Sequence, residues 1–161
     1  MTDTSDDTND DVVSVERVIP APPEKIFALI ADPSRHQDID GSGSVRDSKD
    51  APSRLSLGAK FGMNMKMGLP YSMESTVVAF EDNRCIAWQS RPRGFGGKVA
   101  GGRIWRYDLE PVDGGTRVRE TWDISQEKGT KALVRLGKKK TAENMEKTLE
   151  RIEELTTTTT P

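Results

Sequence analysis

Between residues 44 and 123 the apolar side chains recur at every second position, and the interruptions are short enough to be turns. Period two places successive side chains on opposite faces of an extended chain. The pattern predicts strands over 44–49, 60–67, 72–81, 85–90, 103–110 and 117–124. Turn chemistry separates most of them: Gly-Leu-Pro at 68–70, Glu-Asp-Asn at 81–83 and Val-Asp-Gly-Gly at 112–115. Consecutive strands joined so briefly must run antiparallel, as a meander.

The flanks of this segment follow other rules. Residues 12–19, VVSVERVI, are β-branched and alternate, predicting one further strand. A helix is expected straight after it: Pro22 or Pro23 suits a first turn, Glu24 suits its positive end, and Ile26, Phe27, Leu29 and Ile30 form an apolar face. Pro33 limits that helix, and a second short helical turn fits before Gly41 and Gly43. Over 131–155, Ala132, Leu136, Ala142, Met145, Leu149, Ile152 and Leu155 recur near a helical period. Gly137 and the lysines 138–140 interrupt that stripe, so the segment reads as one long kinked helix or as two. The class is α+β: a curved antiparallel sheet burying one face against a long C-terminal helix, with a concave space between them.

A chain of 161 residues supports one domain, expected over 12–155. The first eleven residues hold five aspartates and little to bury, and 156–161 are threonines closing on a proline, so both read as disordered tails. A net charge of -2 with scattered basic residues disfavours nucleic acid as the main partner. No apolar run approaches the roughly 18 residues of a membrane span. A single cysteine, Cys85, fits a reducing compartment, and the expected location is cytoplasmic.

The stretches VSVERVIPAPPEKIFALIADPSRH and GGRIWRYDLEPVDGGTRVRETWD, with the long final helix, resemble the START and birch-pollen-allergen superfamily. Within that superfamily they resemble its bacterial polyketide cyclase/dehydrase and lipid transport branch, the SRPBCC proteins. The resemblance covers nearly the whole folded unit. It implies a helix-grip fold, in which about seven strands grip the C-terminal helix around an apolar cavity for lipids, steroids or polyketides. Many relatives resemble His-x-x-Trp after the first helix, whereas Ile39 follows His-Gln-Asp here.

Alternation assigns the cavity face independently. Phe61, Met63, Met65 and Met67 share one side of their strand, and four of the chain's six methionines fall within 63–73. On the next strand Tyr71, Met73, Ser75 and Val77 continue that surface until Val78 and Phe80 compete for it, so a bulge is expected. Counting back from the Val-Asp-Gly-Gly loop pairs Leu109 with Val118, Tyr107 with Glu120 and Trp105 with Trp122. Glu120 is then a carboxylate among aromatic rings, where an unpaired charge is costly. It either makes a structural contact, to Tyr107 or to Arg103 as the nearest cation of the hairpin, or anchors a ligand. Trp88 joins the expected ligand wall through the resemblance, and Met145 does so from the helix. Unbranched methionines suit such a wall because they yield to different guests.

The glycine-rich segment 90–103 lacks the spacing of a phosphate loop. Phe95, Gly96 and Gly97 are expected to form a mobile gate over the cavity entrance. His36, beside Arg35 and Asp38, reads as a solvated residue. Cys85 has no adjacent activator, and methionines without His or Cys companions make copper a poor explanation. No metal and no cofactor are expected. The reading favoured is binding of an apolar small molecule without covalent chemistry. One alternative is a cyclase or dehydratase using Glu120 as acid/base with Tyr107 and Arg103, against which stands the lack of a second carboxylate on that inner face. Another is a toxin-like or regulatory interaction module using the lysine run and the acidic tail.

Overall fold

The computed structural model describes residues 10–49, 51–67, 69–94 and 100–157. Strand β1 (Val12–Ile19) leads into α1 (Pro23–Ile30), a 3-10 turn (Pro33–Arg35) and α2 (His36–Ile39). Then come β2 (Val45–Lys49), β3 (Lys60–Met67), β4 (Leu69–Glu81), β5 (Cys85–Pro92), β6 (Arg103–Val112) and β7 (Gly115–Asp123). Helices α3 (Lys131–Arg135) and α4 (Lys138–Thr157) close the chain. This is the α+β helix-grip architecture, with two short helices after the first strand.

The seven strands form one antiparallel sheet in the order β1-β7-β6-β5-β4-β3-β2. The meander accounts for all of that order except β1, which pairs with β7 from Val12↔Asp123 to Ile19↔Thr116. The chain must therefore cross from one sheet edge to the other between β1 and β2. Helices α1 and α2 make that crossing, and their apolar faces cover the sheet on the way. Phe27 and Ile30 are fully buried, each worth roughly 1.5–3 kcal/mol of removed apolar surface. The core gathers Phe27, Phe61, Ile86, Leu109, Leu149 and Ile152 from α1, the sheet and α4.

The last hairpin has the register that its loop dictates, Trp105↔Trp122, Tyr107↔Glu120 and Leu109↔Val118. The β3–β4 hairpin is tighter than its Gly-Leu-Pro turn implied, because Met67 pairs with Leu69 across a single residue. The β4–β5 register shifts between Val77 and Ala79. Val78 is pushed outward to 47% exposure, and Phe80 turns inward again, its ring 5.5 Å from Phe27. That bulge resolves the competition between the two faces.

The C-terminal segment divides at Gly137, where the Gly137 N–H donates to Val134 O and α4 begins with Thr141 N–H on Gly137 O. Leu136, counted on the apolar stripe from its spacing, is 83% exposed. The stripe of α4 proper is Met145, Leu149 and Ile152, all buried. Among the described residues no helix is long and apolar enough to cross a membrane.

Candidate functional site

Antiparallel pairing stacks inner-face side chains into rows across the strands. One row runs Val13, Trp122, Trp105, Trp88 and Val77 from β1 to β4. The next runs Val15, Glu120, Tyr107, Ile86 and Phe80. All three tryptophans of the chain thus lie side by side, with the Trp105 and Trp122 ring centroids 6.4 Å apart. On β3 and β4, Met63 faces Met73 and Met65 faces Tyr71.

Over these rows lies a cavity of about 600 Å³, roofed by Asn144, Met145 and Thr148 of α4. Its volume falls within the roughly 300–1,000 Å³ of small-molecule pockets. Of the residues expected to face it, Met63, Met65, Tyr71, Met73, Trp88, Arg103, Trp105, Tyr107, Glu120, Trp122 and Met145 do line it. Phe61 stands behind the wall instead. It is 1% exposed and packs edge-on against Trp88, centroids 5.6 Å apart. The Met67 side chain and the expected gate of Phe95, Gly96 and Gly97 lie outside the described residues. Pro92 and Ala100, on either side of that segment, line the cavity. A shallower depression on the outer face of β6 and β7, about 340 Å³, is bounded by charges already paired, such as Arg106 with Asp108 and Arg117 with Glu110.

Glu120 is the polar exception in the aromatic wall. It is 2% exposed, and its Oε1 accepts a 2.9 Å hydrogen bond from Tyr107 Oη. Its Oε2 is buried with no hydrogen-bond partner among the described residues. Burial pushes the carboxyl up to about 8 against the pull of the Tyr107 hydroxyl, and the nearby Asp40 charge adds to the rise. At neutral pH Glu120 is therefore mostly the neutral acid.

Arg103 does not serve Glu120. It reaches Glu127, with Nη2 to Oε1 at 2.8 Å and Nε to Oε2 at 3.3 Å, and Thr130 Oγ1 donates to the same carboxylate. The turn after β7 folds back on the start of β6 here, and Gly101 bridges to Lys128. Gly102 has φ +118°, and a Cβ there would collide with the Gln126 carbonyl, so the close approach needs a glycine.

His36 is buried rather than solvated, at 5% exposure. Its Nε2 donates to Ile30 O at 2.7 Å, and its ring stacks on Trp88 with centroids 5.0 Å apart. Burial pushes its pKa down, so the ring stays neutral in the fold. One sequence signal pointed there: His36 lies three residues before the buried Ile39, on the same side of a helical turn. Asp40 also lines the cavity, although the sheet supplies no second carboxylate. Its carboxylate accepts from Ser42 Oγ and from Val45 N–H at 2.9 Å. Leu133 and Val134 of α3 complete the rim. Alternation in strands could reveal none of these, because all lie on helices and loops.

The family model for polyketide cyclase / dehydrase and lipid transport matches residues 11–156 of the chain. An uncharacterized protein, Rv0088, from Mycobacterium tuberculosis is 39% identical over 125 residues, covering 76% of this chain and 52% of its own length. The chain spans about half the length of the curated relatives it matches. Among solved structures, protein CV1439 from Chromobacterium violaceum superposes with a TM-score of 0.72 at 14% identity, covering 92% of this chain and 99% of that one. Ginseng major latex-like protein 151 from Panax ginseng has a TM-score of 0.61 at 10% identity, covering 91% of this chain and 97% of its own. These structures share the fold.

Proposed function

Because the chain belongs to the polyketide cyclase / dehydrase and lipid transport family, we propose that it binds and carries an apolar small molecule in the cavity between sheet and α4. The observation that carries this reading is the wall itself. Three tryptophans, Tyr107 and four methionines face about 600 Å³ of space, with Glu120 the carboxyl of the sheet wall. Apolar lining with few polar groups is the composition of a small-molecule site. Met63, Met65 and Met73 lie on adjoining strands, where soft side chains let the wall follow the shape of a guest.

Native mass spectrometry of freshly purified protein tests the reading. A co-purified apolar mass, or binding of an apolar probe that quenches tryptophan fluorescence, is the expected result. An empty protein with no affinity for such probes counts against it.

A second reading rests on Glu120 held as a neutral acid by burial, with Tyr107 on its Oε1. Such an acid suits protonation of a carbonyl oxygen during cyclisation or dehydration. In that case Glu120→Gln abolishes turnover of a polyketone substrate and leaves its binding intact.

A further inference from the structure

The two oxygens of Glu120 are not equivalent. Oε1 accepts from the Tyr107 hydroxyl, while Oε2, on a side chain that lines the cavity, is buried without a partner among the described residues. In a neutral carboxyl group the carbonyl oxygen is the stronger acceptor, so the Tyr107 bond marks Oε1 as the carbonyl and leaves the proton to Oε2. A buried O–H with nothing to donate to is costly, and such groups in folded proteins are almost always matched. We propose that Glu120 Oε2–H is the donor that orients the ligand, which makes that ligand an uncharged apolar molecule with a carbonyl-type acceptor oxygen, not a fatty-acid anion or an ammonium. The inference rests on the cavity-binding reading above and names the chemistry of the guest.

The charged and titratable groups around Glu120 support the choice. Tyr107 on β6 is a neutral phenol whose ionisation burial opposes. His36 on α2 is neutral and its Nε2–H is committed to Ile30 O. Arg103 on β6 is committed to Glu127, so it does not draw an anion inward. Asp40, at the end of α2, raises the proton affinity of Glu120 and repels a carboxylate guest. On β1 the cross-strand neighbour of Glu120 is Val15, which offers no charge.

Four probes sharing one chain separate the possibilities: undecane, methyl nonyl ketone, undecanoate and undecylamine. Because every tryptophan of the protein lines the cavity, intrinsic fluorescence reads each affinity directly. At about pH 6.5 the ketone is expected to bind about tenfold more tightly than undecane, with undecanoate and undecylamine weaker than the ketone. At about pH 9.5, where Glu120 is ionised, the ketone's advantage disappears. Glu120→Gln retains a donor and keeps the preference at both pH values, whereas Glu120→Leu binds undecane and shows no preference. If Glu120→Leu does not fold, the pH comparison on the native protein and the Gln variant decide the matter. Equal affinity for ketone and undecane at the lower pH overturns the inference, as does a preference for undecylamine or a ketone preference that survives Glu120→Leu. If none of the four probes binds, the cavity-binding reading fails and the inference falls with it. If undecane binds without a ketone advantage, only the inference falls.

Discussion

Glu120 and His36 line one cavity and pull the stability of the fold in opposite directions with pH. Glu120 has a folded pKa of about 8 against an ordinary value of 4.5, so the native state holds a proton that the unfolded chain releases. Its contribution is complete below about pH 4.5 and is lost as pH rises through about 8. His36 is lowered from 6.5, so its contribution is present above pH 6.5 and is lost as pH falls through the folded value. Urea unfolding of Glu120→Gln is therefore expected to show a higher midpoint than wild type at pH 9 and a much smaller difference at pH 5. A second contrast concerns arginines. The Glu127 side chain is fully buried against Arg103, while the Arg119–Glu16 pair is 55% and 43% exposed. Arg103→Ala should cost about 3–5 kcal/mol because it strands a buried carboxylate, and Arg119→Ala at most about 1 kcal/mol, measured as changes in unfolding free energy. The Tyr107–Glu120 contact was legible in the sequence, since four loop residues fix the hairpin register. The partner of Arg103 was not, because Glu127 lies in a turn beyond the strand where alternation has no force.

At the scale of elements, the strands were legible and the helices less so, for one physical reason. A half-buried strand writes its exposure into every second residue, so β3 came out with its observed limits, Lys60–Met67. Helix α2 is a single turn, so the spacing of His36 and Ile39 was the one mark of its covered side, against the charged neighbours that suggested solvent. The split between α3 and α4 was marked by Gly137, but the exposure of Leu136 was not, because it depends on the path the chain takes at the break. Contact between the α2–β2 loop and α4 is equally non-local. The Gly41 N–H donates to Thr148 Oγ1 at 2.9 Å, and a Cβ at Gly41 would sit 2.7 Å from Thr148 N and clash with the Asn144 carbonyl. Helix backbone cannot yield as a side chain does. Gly41→Ala is expected to cost about 1–3 kcal/mol by overpacking and to weaken probe binding, because it levers α4 away from the cavity; thermal unfolding and fluorescence titration check the two effects.

For the whole molecule, the sheet, α2, α3 and α4 each contribute part of one cavity wall, so a bound guest touches every layer. A ligand present at one hundred times its Kd should add about 2.7 kcal/mol of stability, and unfolding followed by far-UV dichroism and by tryptophan emission should shift together. The strand order carries a consequence for synthesis. Val12 pairs with Asp123, so the first strand of the sheet to be made waits for the last, a delay on the order of 5–20 s at typical translation rates. Helix α4, which roofs the tryptophan row, is translated later still. For that interval the nascent chain has built its greasiest surface and owns nothing to cover it with. A chain arrested with Asp123 just clear of the exit tunnel should accordingly crosslink to ribosome-associated chaperones through a photoreactive group at Trp88, and one carrying a C-terminal extension long enough to free Thr157 from the tunnel should not. The concave face that bounds the cavity is thus also the surface for which the newborn polypeptide most needs an escort.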